Sequence, residues 1–419
     1  MSNDPILSIE DLRTTFYTDQ ETVRAVDGIS FDVETRRSLG IVGESGSGKS
    51  VTALSVLGLI DEPGRIHPDS AIKYHDPSFV ERVARSYPRQ VTWTEDQSFR
   101  TSEDYEDPPF VVIEEGEEVV DTITVDRGWV DLVNAPASVI QSVRGSEIAM
   151  VFQDAQTSLN PVYTVGNQIK ELLRRHRGLK GRDATETAAD LLENVGIPDP
   201  KRRLKEFPHQ FSGGMQQRAV IALALACDPS VLICDEPTTA LDVTIQAQIL
   251  ELLEELRMDR SLTIIFITHD MGVVAQIAEQ ITVMYAGEIV ETAPVDRLFE
   301  SPQHPYTRGL LESIPGLAQE GERLPTIEGT VPTPNEEATY CRYAPRCPKA
   351  FDHCEMVHPE LVPIEAPDTG SEADVKHAAA CLLYPANSAI EERVDIHRER
   401  GDVAKKPDRQ RADGGASNE

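Results

Sequence analysis

Ser38-Leu39-Gly40-Ile41-Val42-Gly43-Glu44-Ser45-Gly46-Ser47-Gly48-Lys49-Ser50 decides the fold. Its first five residues form a short apolar run of the kind that makes a buried strand. Glycines at 43, 46 and 48 let the backbone curl until successive N–H groups point inward. The string fits G-x-x-x-x-G-K-[ST], and a helical pattern follows over residues 49–60. Open N–H groups at a helix start, where partial positive charge collects, are suited to holding phosphate. Gly43, Glu44, Ser45, Gly46, Ser47, Gly48, Lys49 and Ser50 are thus the expected cradle of a nucleotide. Lys49 would reach its β- and γ-phosphates, and the Ser50 hydroxyl would take one Mg²⁺ position.

Such a loop needs an acidic partner at the end of another buried strand. Val231-Leu232-Ile233-Cys234-Asp235-Glu236 supplies it. Asp235 is expected to hold Mg²⁺ through water, and Glu236 to polarise the attacking water as general base. Further strands read at 148–152 and 263–268. A helix over 243–257 carries Ile245, Ile249, Leu252, Leu253 and Leu256 at helical spacing. Strands alternating with helices predict an α/β fold, a mostly parallel sheet with helices on both faces. Residues 7–42 read differently, as short half-buried strands separated by turns.

Composition narrows the function classes. The 419 residues carry a formal charge of -31. A nucleic-acid partner is disfavoured, because phosphate binding wants a basic footprint. An acidic surface of this size also suggests a high-salt cytoplasm, where self-repulsion is screened. The longest apolar run, residues 219–227, is far short of the roughly 20 residues that span a bilayer. The start, MSNDPILSIED, lacks a basic region and an apolar segment, so it reads as no secretory signal. A cytoplasmic protein is the expectation.

Four further strings carry a resemblance. Phe211-Ser212-Gly213-Gly214-Met215-Gln216-Gln217-Arg218 resembles the signature motif of the ATP-binding cassette (ABC) ATPases. Gln153 in Val151-Phe152-Gln153-Asp154 looks like that family's Q-loop, Ala240-Leu241-Asp242 its D-loop, and His269 its switch histidine. The resemblance implies an antiparallel β subdomain and a helical subdomain beside the core sheet. It also implies a head-to-tail dimer in which Ser212, Gly213 and Gly214 complete the ATP site of a partner subunit, with Asp242 at the interface. Gln153 would sense Mg²⁺ and couple to a transporter, and His269 would contact the γ-phosphate. An aromatic stacks on adenine in this family, and Phe16 or Tyr17 is the candidate. Ser158-Leu159-Asn160-Pro161, Asp242-Val243-Thr244-Ile245-Gln246-Ala247-Gln248 and Pro302-Gln303-His304-Pro305-Tyr306-Thr307 are similar to the dipeptide/oligopeptide importer ATPases. Met215 points to the first of their two paralogous ATPase subunits. The implied assembly is a sister ATPase, two polytopic permeases and a solute-binding protein, at the cytoplasmic face of the membrane. Nickel and some sugar importers share these strings. A soluble ABC ATPase acting on DNA or ribosomes is the rival from another class. A nucleotide-gated regulator without catalysis is a third reading.

The expected domains are 1–291 for the ATPase, 292–385 for a C-terminal extension, and 386–419 for a disordered tail. Cys227 and Cys234 sit in apolar elements and read as core. Cys341, Cys347, Cys354 and Cys381 cluster in a Pro-rich stretch, where a reducing compartment favours metal ligation over disulfides. The family resemblance implies a [4Fe–4S] cluster. Zinc, with His353, His358 or His377 substituting, and plain thiols remain alternatives. Finally, residues 75–128 form an insertion. Between residues 95 and 126 it holds twelve acidic residues against one arginine, with a strand expected over 119–125. An acidic, solvated β-hairpin is expected there.

Overall fold

The computed structural model describes residues 5–94, 109–119, 122–239, 241–314, 327–364 and 377–404. In chain order the strands are Pro5–Tyr17 (β1), Thr22–Glu34 (β2), Ser38–Val42 (β3), Gly64–Ile66 (β4) and Ala71–Tyr74 (β5). Val91–Trp93 (β6), Val111–Val119 (β7), Thr122–Asp131 (β8), Ile148–Val151 (β9) and Val231–Asp235 (β10) follow. The last are Thr263–Thr268 (β11), Gln280–Tyr285 (β12), Glu288–Pro294 (β13), Val362–Pro363 (β14) and Ala378–Ala379 (β15).

Two sheets form. The core sheet runs β14-β15-β13-β12-β3-β11-β10-β9, parallel from β12 to β9. Its central strands β3, β10 and β11 are buried along their whole length, as expected for a parallel sheet covered on both faces. Register decides the site. Val42 pairs with Thr268, and Ile267 with Asp235. The carboxyl ends of β3, β10 and β11 therefore lie level, and the loops leaving them share one edge, where open α/β sheets bind ligands.

The second sheet runs β2-β1-β5-β8-β7-β6, with β4 on β1, and β1, β2, β5, β7 and β8 pair antiparallel. It is the expected antiparallel subdomain. The insertion extends it more substantially than a solvated hairpin would. Helix Pro77–Ser86, capped by Asp76 accepting the Phe79 N–H at 2.8 Å, buries Phe79, Val80, Val83 and Ala84. These join Phe110, Val111, Ile113 and Val130 in the same core as Ile9 and Leu12. The strand expected over 119–125 is shared between two strands: Val119 ends β7, Thr122 opens β8, and the two residues pair antiparallel. Residues 95–108, which carry six of the twelve acidic residues, lie outside the described residues.

Helices Val165–His176, Gly181–Asn194 and Gly213–Leu225 pack as a helical subdomain around Ile169, Leu173, Leu192 and Ile221. The extension adds β15 and β14 to the core sheet beyond β13. Residues 386–404 correct the expectation of disorder, because helix Ile390–Ala404 forms there. Its composition is polar and charged, yet two anchors fix it: Val394 is buried, and so is His397. The His397 ring accepts the Glu360 N–H at 3.0 Å and meets the Tyr384 carbonyl at 3.1 Å. Residues 405–419 lie outside the described residues.

Candidate active site

The phosphate loop leaves β3 pressed against its neighbours. A Cβ on Gly48, whose φ is +101°, would lie 2.3 Å from the Ala25 carbonyl oxygen, so only glycine fits that bend. Lys49 opens helix Lys49–Val56, and its ammonium donates to the carbonyls of Gly43 at 2.8 Å and Glu44 at 2.9 Å. Burial pulls the Lys49 pKa down, against the opposing pull of Glu236, Asp235 and Glu44. The Ser50 hydroxyl donates to Asp235 Oδ1 at 3.1 Å. Ser45 and Gly46 lie exposed at the crest of the loop, and Ser47 is buried beneath it.

Asp235 ends β10 buried, and burial raises its pKa against the Ser50 hydrogen bond. Glu236 follows with φ +45°, a left-handed turn that costs a non-glycine residue on the order of 1 kcal/mol. Strain of this kind persists where surroundings over-determine it, and here they do. Glu236 Oε2 accepts from Gln153 Nε2 at 2.9 Å and from Thr239 Oγ1 at 2.9 Å, while Oε1 faces His269 Nδ1 at 3.0 Å. Burial pushes the Glu236 pKa up, but the bonds from His269 and Thr239 and the nearby charges outweigh it, leaving it below the ordinary value. Three residues far apart in sequence thus converge on one ionised carboxylate beside Lys49. Gln153 and His269 are two of the sequence-derived candidates. Thr239, three residues past Glu236 in the same turn, is a partner that no sequence motif marks.

Ser212, Gly213 and Gly214 stand elsewhere, on the helical subdomain. Ser212 caps helix Gly213–Leu225, accepting the Met215 N–H at 3.4 Å, and Ser212 and Gly213 are exposed. A Cβ on Gly214 would lie 2.7 Å from Ile245, which packs the signature helix against helix Val243–Arg260. Asp242 caps that second helix, accepting the Ile245 N–H at 3.0 Å, and is exposed. Ala240 lies outside the described residues. Of the two aromatic candidates, Phe16 packs half-buried over Gly64, whereas Tyr17 is 55% exposed.

All six cysteines are free, and Cys234 is core. Cys341, Cys347, Cys354 and Cys381 are drawn into one small body, with the Cys341 N–H donating to the Cys354 carbonyl at 2.9 Å. Burial raises the Cys381 thiol to about 12. The donors are right in kind for a thiolate site, but they do not close around an ion. Among the described residues, no three His, Cys, Asp or Glu side chains form a group that could hold a metal. Nor are two of the histidines free to substitute. His358 lies between Glu288 at 2.9 Å and Glu360 at 3.1 Å, and His377 Nε2 meets Glu291 at 2.8 Å.

A phosphate loop, a strand-end Asp-Glu pair and a glycine-opened helix on a separate subdomain define a nucleotide hydrolase of the cassette type. Residues 119–239 match the ABC transporter family, and residues 290–354 match the oligopeptide/dipeptide transporter C-terminal region. A peptide import ATP-binding protein of Brucella abortus (strain 2308) is 43% identical over 355 residues, 85% of this chain and 91% of that one. The oligopeptide transport ATP-binding protein AppD of Bacillus subtilis (strain 168) is 41% identical over 384 residues, 92% and 98% of the two chains. Among solved structures, the dimeric bacterial ABC transporter cassette MJ0796 superposes with a TM-score of 0.50 at 21% identity, covering 69% of this chain and 98% of that one. The chain belongs to the ABC transporter ATPases, in the branch of the peptide-import ATP-binding proteins. No helix among the described residues is long and apolar enough to cross a membrane.

Proposed function

We propose that this chain hydrolyses ATP to drive import of di- or oligopeptides through a separate membrane permease. The observation that carries the reading is the Glu236 carboxylate, held by Gln153, Thr239 and His269 beside Lys49, in a chain 41% identical to an oligopeptide transport ATP-binding protein.

The residues divide the work. Loop N–H groups and Lys49 hold the β- and γ-phosphates, and adenine stacks on Tyr17, whose ring is the accessible one. Ser50 and Asp235 face each other as a hydroxyl–carboxylate pair suited to Mg²⁺; that ion would offset charge on the transferring phosphoryl group. Glu236, ionised at neutral pH, takes the proton of the attacking water. His269 contacts the γ-phosphate and orients that water. Ser212, Gly213, Gly214 and Asp242 face a sister ATPase in a head-to-tail pair, where an open helix N-terminus completes the partner's phosphate cage. Phe152 and Tyr163, exposed on either side of Gln153 in sequence, suit a contact with the permease, and a position at the cytoplasmic membrane face goes with that reading.

Two finer readings belong with this one. The four extension cysteines are read as a thiolate site for a [4Fe–4S] cluster, with zinc as the alternative. The reading rests on four thiols falling in one C-terminal stretch, with the Cys341 N–H on the Cys354 carbonyl; as placed among the described residues, they enclose no ion. Iron and zinc content after oxygen-free purification decides it, and metal-free protein with four titratable thiols refutes both. The charge of -31 supports a salt-adapted protein, and full activity in dilute buffer contradicts that.

The test of the main reading is recovery of the tagged chain from detergent-solubilised membranes of its own cells. Two polytopic proteins and a second ATPase are expected with it. Recovery with ribosomes or DNA-bound protein would refute transport.

A further inference from the structure

We propose that Arg346 and Tyr306 of the C-terminal extension are positioning residues of the phosphate loop, so that nucleotide affinity is set partly from outside the ATPase core. The proposal rests on residues 43–50 being that loop.

Glu44, the loop's second residue, is gripped twice. Its N–H donates to the Tyr306 hydroxyl at 2.9 Å. Its carboxylate accepts from Arg346 Nη1 at 2.9 Å and Nη2 at 3.1 Å. A guanidinium engaging both oxygens fixes orientation as well as charge. The grip is itself anchored. Arg346 has a side chain 6% exposed and donates through Nε to the Glu328 carbonyl at 2.9 Å. Tyr306 is fully buried, its ring 4.7 Å from that of Tyr285 and 5.4 Å from that of Tyr343.

The consequence reaches the phosphate-binding lysine. Lys49 donates to the carbonyls of Gly43 and Glu44, the former being the carbonyl of the peptide whose N–H Tyr306 holds. Moving Glu44 therefore moves the acceptors that place the ammonium. A second route arrives three residues on. Arg342 donates to the Ala286 carbonyl at 2.7 Å and pairs with Asp27. The turn at Ala286 and Gly287, with φ of +48° and +85°, donates its Gly287 N–H to the Ser47 carbonyl at 3.0 Å. The extension thus touches the loop directly at Glu44 and reaches its far side at Ser47 through the Ala286–Gly287 turn. With Arg346 buried and engaging both carboxylate oxygens, the effect proposed is on where the peptide at Glu44 points.

The test is Mg-ATP affinity of the full-length chain by titration calorimetry, with the unfolding midpoint measured in parallel. Lys49→Ala is the control for the loop; if it binds like the parent, the loop reading fails before the positioning question arises. With that control lost, Arg346→Met is expected to weaken ATP by roughly tenfold, the scale of one hydrogen bond to a charged group. Arg346→Lys recovers part of that. Tyr306→Phe, which keeps the ring and removes one acceptor, weakens it by about threefold, near the low end for one bond. Adding Glu44→Gln to Arg346→Met costs nothing more, because both remove the same contact. ATP affinity within about twofold of the parent in both Arg346→Met and Tyr306→Phe overturns the proposal, whatever the midpoints do. If Arg346→Met does not fold, Tyr306→Phe decides alone.

Discussion

Replacing Glu236 by glutamine keeps the side chain's shape and exchanges one carboxylate oxygen for an amide nitrogen. The carboxylate accepts from Gln153 and Thr239 on Oε2 and faces His269 Nδ1 through Oε1. If the amide nitrogen took the Oε2 place, two donors would be stranded. In the Oε1 place it meets only His269, whose ring can present a lone pair at Nδ1 by changing tautomer. The second orientation wins, and stability falls by no more than about 1 kcal/mol. Catalysis falls much further, because an amide cannot take the proton of the attacking water. Loss of a general base costs about 10²–10⁴-fold, or about 2.7–5.4 kcal/mol of barrier. The assay is phosphate release at saturating Mg-ATP by the assembled complex, with ATP affinity and the unfolding midpoint of the variant recorded alongside. Expected are retained ATP binding, a midpoint within a few degrees of the parent, and turnover down at least a hundredfold (about 2.7 kcal/mol). Turnover within about tenfold of the parent would refute the general-base assignment.

Other consequences are equally direct. Phe79→Ala empties a fully buried site whose ring packs edge-on against Tyr74 at 5.4 Å. A loss of about 3–5 kcal/mol in denaturant unfolding is expected, and a loss under about 1 kcal/mol would show that the insertion is peripheral to the core. Tyr17→Ala should weaken ATP by about 1–3 kcal/mol in titration, the range for one stacked base, while Phe16→Leu leaves it near the parent; the reverse outcome assigns adenine to Phe16. For His358, burial opposes the charged ring, but the carboxylates of Glu288 and Glu360 raise its pKa from 6.5 to about 9. A raised folded pKa stabilises fully below pH 6.5 and is lost as pH rises through about 9. The unfolding midpoint should therefore drop across that window, less so in His358→Gln; identical pH profiles would contradict the pairing.

What could be read from sequence was what is local. The phosphate loop, Asp235-Glu236 and the Ser212 cap are each fixed by neighbours within a few residues, so spacing alone reveals them. Gln153 and His269 are marked by resemblance alone, and the register of β9 and β11 on β10 is what brings them to Glu236. The Arg346 contact with Glu44 is out of reach of sequence, because 302 residues separate the partners and no local pattern marks Arg346. Helix Ile390–Ala404 was missed for a related reason: its charged surface gives no amphipathic signal, and it is held by Val394 and His397. In the insertion a high acidic count masks the apolar face of Pro77–Ser86, whose buried Phe79, Val80 and Val83 follow helical spacing.

The coupling of ATP hydrolysis by this chain to peptide import is open to direct measurement. Its most direct test is the assembled transporter in sealed vesicles, with the solute-binding protein supplied and ATP on the chain's side. Uptake of a labelled oligopeptide and peptide-stimulated phosphate release should rise together, and both should vanish with Lys49→Ala. Hydrolysis indifferent to peptides, or stimulated by nickel or a sugar instead, would contradict the account.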